Sequence, residues 1–514
     1  MMTETRHRAR KDMLVDPPAA AGGSIDGFGS SGYRAYVLNM LLLVYVLNFI
    51  DRGLLAVVAR PLKAEIPISD TAWGLLTGFG FALLYTTAGL PIARLAETRN
   101  RVWIIAICLA FWSLMTAACG LAADVAVGGI AISAFWVLLA CRIGVGLGEA
   151  GCTPPANSLI ADYYPPRRRS TAIGYYSMGV TLGTMLANMI GGPVADWFGW
   201  RAAFLILGLP GVAVAVVFLL TTREPPRGYT DPPHLPKPEQ VSLRDAGREL
   251  LSKPSYWWMT VGATIAAFCG YAIWNFQSLF VQRTFDLTTG QAALWFNTPS
   301  AAAGAAGTVL LGWMAQKLSG RIPGAIAWLA AVGLFACFPL YVMAFTTSSL
   351  WLCAIGLALA SFAKYGYIGA QYTISQGVVS MRVRATATAV MLFLVNLLGY
   401  GLGPLFAGLV SDFHFAREQA GSIAGAAIAR PMCDAAQQYL SEAAQKAGVA
   451  LDVAQVEAAL TLMPQPMTAA QYDFCLTANA ASTQASMLWI CAIYVLAGLA
   501  FVASARGLKR DLVT

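Results

Sequence analysis

Five ionisable residues lie inside long apolar runs: Asp51, Arg52, Arg142, Glu149 and Lys364. A charge within hydrocarbon costs at least ~2.5 kcal/mol, so such residues mark routes for ions, protons or charged ligands. Asp51 and Arg52 are adjacent in "VLNFIDRGLL", residues 46–55. Arg142 and Glu149 stand seven residues apart in "CRIGVGLGEAG", 141–151. On a helix that spacing gives nearly one face and roughly 10 Å of rise. A carboxylate that loses and regains a cationic partner can release and load a proton. Asp51 and Glu149 are therefore the expected proton-coupling residues. Arg52, Arg142 and Lys364 are their expected partners, or the partners of an anionic group on a ligand. Counting depth at about 1.5 Å per residue places Asp51 level with Arg142. These two are expected to pair, with Arg52 beside them and Glu149 deeper. A permanent ion-pair network tying the same helices together is the alternative use of these residues.

The elements that carry these charges are membrane helices. Of 514 residues, 57% are hydrophobic and 12% charged, against roughly 25% charged in a soluble chain. Twelve spans are expected, near 35–60, 71–95, 101–122, 131–162, 170–196, 201–222, 256–285, 290–317, 321–345, 349–380, 385–411 and 484–505. Helices of about 20 apolar residues cross a bilayer because they satisfy their own backbone. The connections after even-numbered spans hold Arg94, Arg99 and Arg101, then Arg167, Arg168 and Arg169, then Lys317 and Arg321, then Arg382 and Arg384. Excess Lys and Arg mark the cytoplasmic side, so both termini are expected in the cytoplasm. The +8 net charge is accounted for by these loops and calls for no nucleic acid. Residues 1–34 read as a disordered cytoplasmic tail, polar and without an apolar signal segment.

The charged linker 223–255 divides a first six-helix bundle, 35–222, from a second, 256–505, and residues 506–514 form a basic tail. Residues 412–483 are an external insertion. Its stretch "AAQQYLSEAAQKAGVALDVAQVEAAL", 435–460, has helix-forming composition and spacing. Eight of ten cysteines lie in apolar segments as small hydrophobes. Cys433 and Cys475 both lie in the insertion, where a disulfide and two free thiols are both open. No cluster of His and Cys suggests a metal, and no cofactor is expected. "GVGLGEAG" is not read as a phosphate loop, since it lies within a span and follows no strand.

The halves repeat. Shifted by 215, "LIADYYPPRRRSTAIG" (159–174) falls on "ISQGVVSMRVRATATA" (374–389), matching Arg167 to Arg382, Arg169 to Arg384 and Thr171 to Thr386. The same shift carries Glu149 onto Lys364. Parallel repeats of this kind build transporters that bind at the midplane between the halves and rock about it.

Between spans 2 and 3, "GLPIARLAETRNR" resembles the major facilitator superfamily signature G-x-x-x-D-R-x-G-R-R, with Gly89 and Arg94 matching and Ala93 at the Asp position. "GWMAQKLSGR" repeats it with Gly312, Lys317, Gly320 and Arg321, and Gln316 at the Asp position. "RIGVGLGEAG" and Gly191-Gly192-Pro193 resemble motifs of spans 4 and 5 in the same superfamily. "NFIDR", "RIGVGLGEAG…P…SLIADYYPPRRRSTAI" and "FGWRAAFLILGLPG…REPPRG" together resemble the Spinster family of lipid transporters. "NLLGYGLGP" departs from it, with Asn396 and Tyr400 where animal members tend to have His and Asp.

The resemblance implies an all-α major facilitator fold and a proton-coupled secondary transporter of a lysolipid or sphingoid-phosphate-like lipid. A small organic anion is the alternative substrate. A monomer in a bacterial inner membrane is expected, with lipid and protons as its partners. Trp274, Asn275, Phe276 and Gln277 of span 7, Tyr365, Tyr367 and Gln371 of span 10, and Asn396 and Tyr400 of span 11 are the candidate cavity lining. Arg94, Asp162 and Lys317 are the candidate cytoplasmic gate. A membrane-embedded enzyme is not expected, because no nucleophile–base pair lies at depth.

Overall fold

A computed structural model describes residues 27–127, 130–230, 242–319, 322, 324–425, 428–447 and 452–512. Residues 1–26 of the expected tail, 231–241 of the linker, and Gly320 and Arg321 lie outside the described residues. Among the described residues, ten helices are long and apolar enough to cross a membrane. One of them, Pro166–Thr221, turns at Gly199, whose φ of 83° is open to glycine and strained for other residues. It therefore supplies two crossings, and 289–319 completes twelve. In chain order these are α1 (Ser31–Val57), α2 (Asp70–Thr98), α3 (Arg101–Cys119), α4 (Ala134–Tyr163), α5 (166–198) and α6 (200–221). The second half holds α7 (Pro254–Phe285), α8 (289–319), α9 (Ala325–Thr346), α10 (Leu350–Gly377), α11 (Arg384–Ala420) and α12 (Ala469–Asp511).

The helix starts are encoded locally. Ser30 caps α1 and Asn100 caps α3, each side chain accepting from a backbone N–H three residues on. Thr288 with Gln291, and Thr468 with Gln471, form capping boxes at α8 and α12. The second box starts α12 well before the expected span at 484, so α12 rises out of the bundle and carries Cys475. Between α3 and α4, Val125–Val127 pairs antiparallel with Ile130–Ile132, where span 4 was expected to have begun. The β-branched residues there favour a strand.

The repeat is visible in how two helices break. α4 is interrupted directly after Glu149 and resumes at Thr153. α10 is interrupted directly after Lys364 and resumes at Gly366. Each charge thus sits at the carbonyl end of a half-helix, where exposed backbone oxygens favour a cation and disfavour an anion. Single π-helical turns, frequent at functional sites, interrupt α2 at Leu75–Phe79, α8 at Ala293–Asn297 and α11 at Val395–Tyr400.

Among the described residues, close backbone approaches between the two halves gather toward one end. Where the insertion lies, a Cβ on Gly74 of α2 would stand 2.2 Å from Pro404 O of α11, and one on Gly192 of α5 would stand 2.7 Å from Ala293 Cβ of α8. At the other end of these helices, a Cβ on Gly89, Gly174 or Gly312 would meet nothing within 4 Å. The bundle is closed on the insertion side and splayed on the linker side.

Candidate functional site

The charges of the first half form a buried nest. Arg52 on α1 donates from Nε to Glu149 Oε2 on α4 at 2.5 Å. Its guanidinium lies 4.6–5.1 Å from the ring centres of Phe49, Phe81 and Tyr85, a geometry in which aromatic faces attract a cation. Arg142 lies over Phe81 at 5.4 Å, with Nε and Nη1 unpartnered. Glu149 Oε1 and both polar atoms of Asn48 are also buried and unpartnered. Among the described residues no ion pair joins Asp51 to Arg142, which corrects the expected pairing. The arginine side chain is long enough to reach a carboxylate at another depth. Asp51, about 100° further back around α1, lies near both Arg142 and Glu149 but closes no ion pair among the described residues.

Beside the nest, between the halves, lies a cavity. Phe49 and Gly53 of α1 and Thr184 and Asn188 of α5 form its first-half wall. Tyr271, Trp274 and Gln277 of α7 and Ser361, Lys364, Tyr365 and Tyr367 of α10 form the opposite wall. Asn275 and Phe276 were expected in this lining, but both face away. Asn275 accepts through its backbone oxygen from Trp73 Nε1 of α2 at 3.4 Å, and Phe276 is fully buried in helix packing. Residues 274–277 sweep about 300° of the helix, so they cannot share one face. Gln371, Asn396 and Tyr400 do not line the cavity either. Gln371 is buried, and Asn396 and Tyr400 lie on the π-helical turn of α11. The Tyr400 ring lies tilted 4.3 Å from Tyr271 and 5.2 Å from Phe81, which places it between the nest and the cavity wall.

A second charge cluster lies on the insertion side, outside all the candidate residues. Asp70 at the start of α2 accepts from Lys63 at 2.7 Å and Arg283 of α7 at 2.8 Å, and lies in an ion pair with Arg430 of the insertion at 2.9 Å. Asp434 of the insertion accepts from Arg283 at 2.8 Å and forms an ion pair with Lys63 at 3.4 Å. Arg430 also donates to Asp412 of α11 at 3.0 Å. All but Asp412 are at most 5% exposed. Asp434 sits on the insertion helix Arg430–Ala447, beside the disulfide that joins Cys433 to Cys475. The cluster thus clasps three bodies: the first half through Lys63 and Asp70, the second through Arg283 and Asp412, and the insertion.

Burial pushes the Asp434 carboxyl up, but the guanidinium of Arg283 and the ammonium of Lys63 outweigh it and hold the group below the usual carboxylate range. A depressed value means that its contribution is complete above about 4, the unfolded value, and is lost as pH falls through the lower folded one. The clasp should therefore stay shut between about pH 5 and 8 and loosen only below about pH 4. Proteolysis of the insertion across that series would check it, and increased cleavage at about pH 5 would count against it.

On the linker side the expected latch is not formed. Asp162 pairs with Arg101 at 2.5 Å and accepts from Gly228 N at 2.9 Å. Arg94 is exposed and has no ion pair among the described residues. Lys317 is exposed over the Trp313 ring at 5.0 Å. Arg94 and Asp162 belong to the same half, and there Arg101 takes the carboxylate instead.

Comparison with known proteins agrees with this geometry. The family model described as Major Facilitator Superfamily matches residues 41–427. An "MFS-type efflux pump" of Mycolicibacterium smegmatis is 32% identical over 377 residues, 73% of this chain and 84% of that one. Protein spinster homolog 1 of Homo sapiens is 27% identical over 411 residues, 74% of each chain. The crystal structure of a bacterial homolog to the human lysosomal transporter Spinster, inward-facing and unoccupied, is 38% identical. It covers 95% of this chain and 100% of its own, with a TM-score of 0.79.

Proposed function

Because the chain belongs to the major facilitator superfamily, and within it to the Spinster type, we propose that this multi-pass secondary transporter carries an amphipathic lipid of lysolipid or sphingoid-phosphate kind, driven by protons. The observation that carries the lipid reading is the cavity wall. Phe49, Tyr271, Trp274, Tyr365 and Tyr367 offer aromatic surface, and Lys364 is the single ionisable cation among the lining residues. A sugar acid would call for more polar groups than this wall provides, whereas an acyl chain bearing one anionic group matches it. The Spinster relatives support the same class.

The proton reading rests on the nest. Glu149 holds Arg52 through one oxygen and leaves the other buried without a partner. Protonating Glu149 would release Arg52, and Asp51, which has no ion pair among the described residues, is a second carboxylate able to carry the proton. In this reading the linker side is cytoplasmic, following the arginine-rich loops, and the membrane is a bacterial inner one. The present conformation then opens inward, with the clasp as the shut outer gate. The protein works as a monomer, each half rocking about the cavity.

A purified sample in liposomes tests this reading directly. A lysolipid should exchange faster than in protein-free liposomes and faster still under a pH gradient, while a sugar acid should not. Sugar-acid flux without lysolipid flux would favour the organic-anion symporter instead.

A further inference from the structure

Among the described residues Lys364 has no ion-pair partner, and the spans of its own half offer none. No Asp or Glu occurs in Pro254–Phe285, Ala325–Thr346, Leu350–Gly377, 289–319 or 384–411, nor in 484–505 of α12. The lysine is 7% exposed and lines the cavity. Its ammonium lies 5.0 Å from the Tyr365 ring centre and 5.9 Å from that of Tyr341. Rings offset part of the cost of burying the charge but supply no negative charge. One turn earlier on α10, Ser361 lines the same wall.

A third donor reaches this wall from behind. The Tyr494 hydroxyl of α12 is fully buried and unpartnered. Its ring stacks on Tyr341 at 5.8 Å. Its oxygen lies 3.5 Å from where a Cβ would stand on Gly270, and Gly270 lines the cavity. Tyr494 does not itself line the cavity, but the missing side chain of Gly270 leaves its hydroxyl directly behind a lining position. Opposite, Gln277 Nε2 is already engaged with Asn297 Oδ1 at 3.0 Å. Among the described residues, Lys364 and Tyr494 therefore present hydrogen-bond donors with no protein acceptor to meet them, and Ser361, within hydrogen-bond reach of the Tyr341 hydroxyl, adds a third donor beside them.

We infer that Lys364, Ser361 and Tyr494, the last behind Gly270, form an anion subsite for a singly charged tetrahedral oxyanion, a phosphodiester or a sulfonate, on a single-chain amphiphile. One uncompensated cation in a low-dielectric wall matches one negative charge, since a second would be left buried and unpaired. Donors on two helices, one of them behind a third, suit three oxygens set around a tetrahedral centre better than the two of a planar carboxylate. This rests on the lipid reading above and adds the headgroup chemistry to it.

The test is binding to the purified full chain in nanodiscs, followed by fluorescence of Trp274 in the cavity wall against a Trp274→Phe control. Four probes of equal chain length separate the chemistries: lysophosphatidylglycerol, an alkyl sulfonate, a fatty acid ionised at the assay pH and a neutral monoacylglycerol. The first two should bind at least about tenfold tighter than the last two, the size of one hydrogen bond to a charged group. Preference for one of the first two identifies the headgroup source, and both outcomes support the subsite. Tyr494→Phe and Gly270→Ala should each remove roughly that factor for the anionic probes alone. The alanine methyl makes only ordinary contact with the phenol, so it covers the hydroxyl without strain. Lys364→Met should remove most of the preference. Equal binding of the fatty acid, or anion affinity unchanged in both Tyr494→Phe and Gly270→Ala, would overturn the subsite even if Lys364→Met fails to fold. Binding with this preference but without flux into liposomes would sink the transport of these lipids and leave the subsite standing. Flux without headgroup preference would do the reverse.

Discussion

Glu149→Gln should abolish the acceleration of transport by a pH gradient while the protein still reaches the membrane and still exchanges substrate slowly. The argument starts from the 2.5 Å pair with Arg52. Glu149 ends the first half of α4, where backbone carbonyls disfavour a negative charge. Arg52 offsets that cost, and three aromatic rings hold Arg52 itself. Glutamine keeps the size and a hydrogen-bond acceptor but fixes the group in its neutral state, which is the state after protonation. The transporter should then behave as if permanently loaded. Gradient-driven flux should fall at least about tenfold, the effect of 1.4 kcal/mol on one step, and flux should lose its pH dependence. Asp51→Asn provides the comparison. If Glu149→Gln keeps a normal pH response and Asp51→Asn loses it, the proton is carried by Asp51 and the Arg52–Glu149 pair is structural.

Asp434→Ala should open the outer side. Asp434 is fully buried, accepts from Arg283 through Nε and Nη2 and from Asn479 Nδ2, and pairs ionically with Lys63. Removing one partner of a buried ion pair costs about 3–5 kcal/mol, because the remaining cations lose their compensation. That cost falls on the closed state, in which the cations are packed together. Separating the halves relieves part of it. A cysteine at Ala56, in the cavity wall, should then react with a membrane-impermeant thiol reagent added outside. A rise of about 100-fold, about 2.7 kcal/mol of the penalty, is expected over the same cysteine in the parent chain. Unchanged reactivity, with the chain folded and Cys433–Cys475 intact, would mean that the halves are held shut by helix packing alone.

The five membrane charges were legible because an ion in an apolar run stands out whatever its partner. The repeat was legible too, and the matched breaks after Glu149 and Lys364 give it structural form. The pairing was not. Depth alone placed Asp51 against Arg142, but direction around the helix and side-chain reach decide for Arg52 and Glu149, and neither is written in spacing. The cavity lining was overcounted for a related reason: a run of four polar and aromatic residues on α7 cannot all face one way. The clasp was missed because charges near span ends usually face water. One signal was available. Lys63 and Arg283 are cations on the side that the positive-inside rule leaves poor in them, and a cation there needs a reason.

The clasp has an electrical consequence. Its six groups divide between the moving bodies without remainder: Lys63 with Asp70 on the first half, and Arg283 with Asp434 and Arg430 with Asp412 on the second half and its insertion. Each body leaves with as many positive as negative groups, already in contact. Parting them strands no ion and carries no net charge through the membrane field, where each elementary charge would be worth about 2.3 kcal/mol per 100 mV. On the proposed orientation the outer gate is therefore voltage-silent in its own right, and any dependence of transport on membrane potential belongs to what passes through it.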